Sequence, residues 1–183
     1  MEGLSIREVT HENWRVALRL AVHPEQQHFI ADYVPIAAIA LAKAYIRPGG
    51  LVWVPFAFYR DTEMIGFTEL AYEPDSKDNY WIFHFFIDHH YQGQGFGKKT
   101  LALFLQYINE HYPQCQSLQL TVHPENQRAQ HLYTGAGFRP SGTQLDGEQV
   151  YRLVCSDFQD AWSAYQAIEP HYQDANRKLA KEQ

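Results

Sequence analysis

The spacing of hydrophobic positions divides the first part of the chain into one strand and several helices. Residues 4–9 alternate as a short strand, and the apolar positions of residues 14–21 recur at helical intervals. A short helix is predicted at residues 25–31. A longer helix is predicted to begin at Pro35, because proline is favoured in the first helical turn, and the turn-forming stretch 47–50 ends it.

The pattern then becomes that of strands. Residues 51–59 and 64–72 are rich in β-forming side chains and flank a short polar turn, which predicts a hairpin. Residues 80–87 are almost continuously apolar, as is typical of a central strand buried on both faces. Pro55 cannot donate a ladder hydrogen bond, so an edge position or a bulge is predicted there.

Helices and strands alternate in the following part of the chain. A glycine-rich loop at residues 88–98 leads into an amphipathic helix, and residues 118–122 alternate as a strand. A second amphipathic helix follows, and two strands around Asp146 and Gly147 are predicted to form a hairpin. This order of elements predicts a mixed α/β fold with helices packed on a sheet.

A change of composition after Cys155 sets the predicted domain boundary. Residues 1–155 are expected to form one α/β domain, and residues 156–183 a C-terminal helical extension with an aromatic stripe. Such a stripe needs a cover. The extension either folds onto its own domain or serves as the contact of a homodimer.

The composition excludes several classes of protein. With 45% hydrophobic and 20% charged residues the chain can bury a core, yet no apolar run is long enough for a transmembrane helix and no signal peptide is visible. A net charge of −6 without a basic stretch argues against nucleic-acid binding. The two cysteines lack metal-site spacing and are expected to be reduced thiols in a cytoplasmic protein.

The loop at residues 91–98 carries the clearest candidate chemistry. Three glycines follow a buried strand and open a helix, so that unpaired N–H groups and the positive end of the helix dipole would converge on an anion such as a pyrophosphate. Neither the Walker A spacing nor the dinucleotide spacing G-x-G-x-x-G fits the loop. The pattern that remains is Q-x-x-G-x-G, formed by Gln92, Gly95 and Gly97.

This pattern resembles the coenzyme A loop of the GCN5-related N-acetyltransferases (GNAT). A second motif, N-x-x-A-x-x-L-Y-x-x-x-G-F, occupies residues 126–138, after a predicted strand, as in the same family. The stretches 22–26, 42–45 and 80–88 resemble the diamine/polyamine (spermine/spermidine) acetyltransferase branch. The resemblance covers about residues 4–155 and implies the GNAT fold, in which helices flank a mixed, mostly antiparallel central sheet.

The resemblance also implies an activity and a cosubstrate. The expected reaction is direct transfer of an acetyl group from acetyl-CoA to a primary amine of a small molecule, a polyamine or a related cationic amine, in a ternary complex. The backbone of the strand before the loop would pair with the pantetheine arm like an added strand. Asn126 would contact that arm or cap the second helix. The residues implied to bind the cosubstrate are Phe86, Ile87, Gln92, Gly93, Gln94, Gly95, Phe96, Gly97, Lys98 and Asn126.

The catalytic groups are less well defined by the resemblance. It makes Tyr133 the acid that protonates the leaving thiolate, although the spacing of Tyr133 also fits a core aromatic. The amine must lose a proton first, because a primary ammonium has a pKa of about 10. In the polyamine enzymes a carboxylate lies on the central strand at the position held here by Phe83, and an aromatic ring cannot be a base.

Two residues are candidates for that missing group. His84 is one, unless it is a buried, hydrogen-bonded side chain of an aromatic strand. Glu69 on the preceding strand is the other, as a base or as an attraction for the cation, unless it is a solvated glutamate of an edge strand.

The same residues are compatible with two other functions. Acetylation of a protein N-terminus or lysine would need an open groove, and a non-catalytic acyl-CoA-binding regulator would not need Tyr133. No metal is expected, because His89 and His90 would diverge on extended backbone and no histidine has zinc-site spacing.

Overall fold

Seven strands and four α-helices make up the described part of the chain, which in this computed structural model comprises residues 3–31 and 35–155. In chain order they are β1 Leu4–Glu8, α1 Trp14–Ala17, α2 Ile36–Ile46, β2 Val52–Arg60, β3 Glu63–Tyr72, β4 Tyr80–Ile87, α3 Phe96–His111, β5 Ser117–Val122, α4 Gln127–Gly135, β6 Arg139–Leu145 and β7 Glu148–Val154. The predicted extension 156–183 lies outside the described residues. Within them, no helix is both long and apolar enough to cross a membrane.

The strands form one sheet in the order β1-β2-β3-β4-β5-β7-β6. Every neighbouring pair is antiparallel except β4 and β5, which run parallel. The mixed, mostly antiparallel sheet and the order of elements are therefore confirmed. The first helix is shorter than predicted, because the bonds after Ala17 change to the tighter i→i−3 pattern.

Two hydrophobic cores lie on the two faces of the sheet. Successive residues of a strand point to opposite faces. Phe56 and Phe58 accordingly belong to the core beneath α3, whereas Ala57 and Tyr59 belong to the core that contains residues of α1 and α2. The helices therefore cover both faces, and the sheet is the middle layer of three.

The parallel pair β4–β5 separates almost as soon as it forms. Only Tyr80 with Leu118 and Trp81 with Gln119 are in register, whereas β4 pairs with β3 almost to its end. The prediction that residues 80–87 are buried on both faces is wrong for part of the strand. Trp81, Phe83 and His84 are only partly buried, and the last two lie where β5 no longer pairs with β4.

A bulge lies in β4 where the strands diverge. Phe67 pairs with Phe86 and Glu69 pairs with Phe83. Between these two pairs β3 advances by two residues and β4 by three, so β4 carries one extra residue. His84 absorbs the extra residue at a φ of 51°, a left-handed conformation that is uncommon outside glycine. The bulge bends β4 away from β5 and widens the gap between them.

Pro55 is neither at the sheet edge nor in a bulge, because β2 lies between β1 and β3. Its carbonyl accepts a hydrogen bond from the Val9 N–H, so its nitrogen also faces the β1 side. The β1 ladder ends at Glu8, opposite Phe56. The missing N–H of Pro55 therefore falls beyond that ladder, and the proline is tolerated inside the sheet.

Gly66 on β3 is needed for the close approach of β4. A Cβ atom at this position would lie 2.6 Å from the Phe86 carbonyl oxygen and 2.9 Å from Cδ1 of Ile87. Gly66→Ala is expected to lower the free energy of unfolding in urea by about 1–3 kcal/mol, because backbone must move to admit the methyl group. Gly135→Ala, in α4, has open space around it and should change stability by less than about 0.5 kcal/mol. Equal effects of the two substitutions would contradict the steric explanation.

Candidate active site

A cleft of about 760 Å³ opens between the diverging ends of β4 and β5. The bulged half of β4 forms one wall, and β5 with the first turns of α4 forms the other. The loop before α3 closes one end. Because β5 has left, the backbone of residues 83–87 has a side without a strand partner, and that side is available to an extended ligand.

The glycine loop presents backbone to this cleft. Gly93 and Gly95 have φ angles of 78° and 79°, which other residues rarely adopt, and a Cβ on either would meet no atom within 4 Å. Gly95 is the N-cap of α3 and has no side chain, so the N–H groups of the first turn are open to a ligand. This geometry suits a phosphate group at the positive end of the helix.

Gln92 fixes the loop through its side chain. Its Nε2 donates to the Ile87 carbonyl at 3.0 Å and to Oε1 of Gln26 at 2.8 Å, and Nε2 of Gln26 donates back at 3.0 Å. The amide therefore connects the loop to the end of β4. Gln94 differs from its loop neighbours, because it does not line the cleft and its side chain donates to the His90 carbonyl at 3.3 Å.

Asn126 and Tyr133 lie on the opposite wall of the cleft, at the start of α4 and within it. Asn126 Oδ1 accepts a hydrogen bond from the Ala129 N–H at 3.0 Å, which confirms the N-cap interpretation, and the residue also lines the cleft. Tyr133 is only 7% exposed and its ring contacts those of Phe85 and Phe138, yet it too borders the cleft. Burial, and secondarily the charge of Glu148, raises the pKa of Tyr133, so the phenol keeps its proton at neutral pH.

Glu69 lies on the α2 side of the sheet, directly opposite Phe83. Residues directly opposite each other in an antiparallel pair project from the same face. The Glu69 side chain is fully buried, and among the described residues no donor reaches either carboxylate oxygen. Burial raises the pKa of Glu69 from 4.5 to about 8, although the charge of Lys43 acts in the opposite direction. The expectation of a solvated edge glutamate is wrong.

Lys43 on α2 contacts the same part of β4. Its Nζ lies 3.4 Å from Nε2 of His84, 4.7 Å from the ring centre of Trp53 and 5.0 Å from that of Phe83. An ammonium can only donate, so Nε2 of His84 accepts and Nδ1 carries the proton. That Nδ1 lies 3.3 Å from the Ile30 carbonyl, which it can reach as a donor.

His84 is consequently neutral over the physiological range. Burial, together with the neighbouring Lys43 charge, lowers its pKa from 6.5 to about 4, despite the hydrogen bond to the Ile30 carbonyl. The interpretation of His84 as a hydrogen-bonded residue of an aromatic strand is confirmed, although the side chain is only partly buried. Its ring still borders the cleft.

Asp88, His89 and His90 form the group of potential metal ligands found in the described residues, with ligand atoms within 4.8 Å of one another. The expectation that the two histidines diverge is wrong, because they lie in a 3-10 turn with ring centres 3.8 Å apart. Both Asp88 oxygens already accept hydrogen bonds, from the N–H of Ala21 and from the backbone and Nδ1 of His90. Burial raises the pKa of Asp88, but these bonds outweigh it and the pKa lies below its ordinary value.

Residues 25–138 match the sequence model of the acetyltransferase (GNAT) family. The chain belongs to this family. It is 32% identical over 154 residues to a probable spermine N(1)-acetyltransferase of Bacillus subtilis subsp. natto (strain BEST195), with 81% of this chain and 96% of that protein covered. A spermine/spermidine N(1)-acetyltransferase of Bacillus subtilis (strain 168) is 31% identical over 154 residues, with the same shares covered.

Solved structures share the fold of this GNAT acetyltransferase. A crystal structure of spermidine N-acetyltransferase from Vibrio cholerae, in complex with CoA and spermine, has a TM-score of 0.67 at 19% identity, covering 86% of this chain and 98% of that chain. An uncharacterized protein from Bacillus halodurans has a TM-score of 0.71 at 16% identity, covering 90% of each chain. At such identities the likeness shows the architecture.

Most residues predicted for the cosubstrate of this GNAT acetyltransferase surround one cleft. Nine of the ten line it, and Gln94 does not. Tyr133 and His84 also line it, whereas Glu69 lies beyond its surface. Sequence reasoning missed Lys43 as a charge beside this site. The available signal was its position as the single charged residue of α2, an otherwise largely apolar helix.

The raised pKa of Glu69 makes the stability of the GNAT domain depend on pH. Between pH 4.5 and about 8 the unfolded chain ionises Glu69 while the folded chain keeps it protonated, so stability contributed by the protonated group is lost as pH rises. Glu69→Gln removes this loss. Its advantage over the wild type in urea unfolding should grow across that window to at most about 5 kcal/mol.

The control is Glu110→Gln, at an exposed position of α3. This substitution should leave the pH dependence as it is in the wild type. A constant difference between Glu69→Gln and the wild type from pH 5 to pH 9 would contradict the buried, protonated state of Glu69.

Proposed function

We propose that this acetyltransferase transfers the acetyl group of acetyl-CoA directly to a primary amine of a small cationic molecule, a polyamine or a related amine. The observation that carries the proposal is a single cleft that combines an open strand edge, an anion-binding helix start and a protonated phenol. The buried carboxylate next to its wall favours a cationic acceptor.

The lining of this cleft supports acetyl-CoA as the cosubstrate. N–H groups around Gly93, Gly95 and Gly97 would hold the pyrophosphate. Gly93 and Gly95 have open space beside their backbone, and α3 begins directly after Gly95. The open edge of Phe86 and Ile87 would receive the pantetheine amides as an added strand. Bound acetyl-CoA supplies an activated thioester.

Tyr133 is the proposed acid. A thiolate that leaves the acetyl group needs a proton, and a phenol with a raised pKa still carries one at neutral pH. Its packing against Phe85 on β4 fixes the ring at the cleft wall. The core position of Tyr133 is therefore compatible with a catalytic role, because the same contacts that bury the ring also orient the hydroxyl.

Glu69 is the better of the two candidates for the base. A general base works best when its pKa lies near the working pH, and about 8 for Glu69 meets this condition, whereas about 4 for His84 gives little driving force. Glu69 also stands directly across from Phe83, on the same face of the sheet. The carboxylate that the polyamine enzymes carry at the position of Phe83 would thus be supplied by the neighbouring strand.

The similarity to spermine and spermidine acetyltransferases supports the acceptor class. The two Bacillus relatives align over most of this chain and nearly all of their own length. The aromatic residues near Glu69, Trp53 and Phe83, suit an ammonium, because the faces of aromatic rings attract cations.

Release of free thiol from acetyl-CoA tests the proposal. The wild-type chain is assayed with spermidine, spermine, an aminoglycoside, free amino acids and peptides with a free N-terminus or lysine. Fast release with the polyamines is expected. Release with peptides alone would favour the protein acetyltransferase, and CoA binding without release for any amine would favour the non-catalytic regulator. Either result would overturn the proposal.

Tyr133→Phe tests the acid. Loss of the proton donor is expected to lower kcat by about 10²-fold or more, while the dissociation constant of acetyl-CoA changes little, since the ring and its packing remain. Tyr72→Phe removes the same atom from a residue of β3 that stacks on Tyr80, away from the cleft, and should leave kcat unchanged. An undiminished kcat in Tyr133→Phe would remove the phenol from the mechanism.

A further inference from the structure

The surroundings of Lys43 have the composition of a binding site for a cation. Its ammonium faces the rings of Trp53 and Phe83, whose centres are 5.0 Å apart, and lies 3.4 Å from the lone pair of His84. Together with the Glu69 carboxylate, these three side chains form what we call the cation cage. Aromatic faces, a nitrogen acceptor and a carboxylate are the groups that recognise an ammonium.

The carboxylate of the cation cage lacks a donor. Both oxygens of Glu69 are buried, and no hydrogen bond from the described residues reaches either of them. Buried polar groups in proteins nearly always have a partner, and each exception calls for an explanation. Lys43 is close enough to lower the pKa of Glu69 through its charge, yet it bonds to His84 instead. The carboxyl group of the cage can therefore accept hydrogen bonds that Lys43 does not provide.

The cation cage adjoins the cleft. Phe83 and His84 belong to both, because the bulge of β4 leaves them partly exposed on that wall. An acceptor whose reacting nitrogen lies in the cleft therefore has the cage within reach of a second nitrogen. Lys43 itself is partly exposed on α2, and its neighbours Tyr45 and Ile46 are largely exposed, so its side chain can turn away into water.

We propose that Lys43 is a displaceable occupant of the acceptor's second ammonium site, and that a cationic acceptor binds by replacing it in the cation cage. This inference rests on the proposed acetylation of small amines. It restricts the acceptor to molecules with two or more ammonium groups, because only these can place one nitrogen in the cleft and another in the cage. A monoamine leaves Lys43 in place.

The first experiment measures spermidine binding by calorimetry in the presence of CoA, which cannot transfer an acetyl group. Lys43→Ala empties the cage and suits the alanine-rich helix α2. It is expected to tighten spermidine binding about threefold to thirtyfold, the range that a partly desolvated cation–aromatic contact provides. Lys43→Arg keeps a cation in the cage and should bind spermidine about as the wild type does.

Lys77→Ala is the matched control, since it removes the same charge from an exposed loop position between β3 and β4. It should leave spermidine affinity within about twofold of the wild type, because exposed charges are screened. A monoamine such as butylamine should gain nothing from Lys43→Ala. Unchanged or weaker spermidine binding in Lys43→Ala, or an equal gain in Lys77→Ala, would overturn the proposal.

The second experiment is NMR spectroscopy of the wild-type protein, in which a Lys43 variant serves only to assign the Lys43 resonances. The Cε–Hε resonances of Lys43 are expected to lie upfield in the wild type, because the ammonium end faces two rings. Saturation with spermidine should move them to the values of an exposed lysine. Resonances that stay upfield at saturation, or the absence of any spermidine binding, would contradict displacement.

These readouts separate this inference from the proposed function. Acetyl transfer to polyamines with no change at Lys43 would leave the proposed function intact and overturn displacement alone. Thiol release confined to monoamines would likewise overturn the second ammonium site alone, whereas release confined to peptides would overturn both the proposed function and this inference. Absence of thiol release with every amine would overturn the proposed function, whatever Lys43 does.

Discussion

The open backbone edge of β4 is the constraint on which the rest of the site depends. A strand inside a sheet normally has both edges paired, and an unpaired buried edge is costly. Here the ladder to β5 stops after Trp81 and Gln119, while the ladder to β3 continues. The resulting gap is tolerated because it opens to solvent and can be filled by a ligand with amide groups of its own. A single missing ladder thus creates the cleft.

The bulge of β4 distributes the chemistry over the two faces of the sheet. One extra residue at His84 places Phe85 in the core beneath α3, where it contacts Tyr133, and Phe86 in the core on the α2 side. Phe83 remains opposite Glu69 on the α2 side. The proposed acid and the buried Glu69 therefore approach the same stretch of β4 from different faces of the sheet.

The sequence predicts the elements of this fold well, because their patterns are local. Alternation, β-forming composition and one continuous apolar run predict the strands, helical spacing predicts α2 to α4, and the glycines before α3 predict a candidate anion site. The failures involve register and neighbours. The prediction of an edge or a bulge at Pro55 is wrong because the sequence of its own strand does not reveal where β1 ends. The histidine pair 89–90 was expected to diverge because a 3-10 turn has no strong periodic signature.

The surroundings of Glu69 show why the acceptor side was the hardest part to predict. Glu69 and Phe83 are direct partners because the bulge shifts the register of β3 and β4. Lys43 lies over the Phe83 ring because α2 packs on this face of the sheet. Neither is visible in the spacing of residues along the chain. From the sequence alone, the aromatic residue at position 83 indicates only that another group replaces the carboxylate of the polyamine enzymes.

The energetics of Glu69 argue that its position serves more than the fold. A buried carboxylate without hydrogen-bond donors destabilises the folded state, and an apolar residue of similar size would fill the space at lower cost. Its neighbours do not remove that cost, because Lys43 is itself partly desolvated, with a lowered pKa, and His84 is held neutral. Such an arrangement becomes favourable when a ligand brings ammonium donors to the carboxylate. Local instability in the absence of ligand and the proposed recognition of a cation therefore share one cause, a buried carboxyl group to which no described residue donates a hydrogen bond.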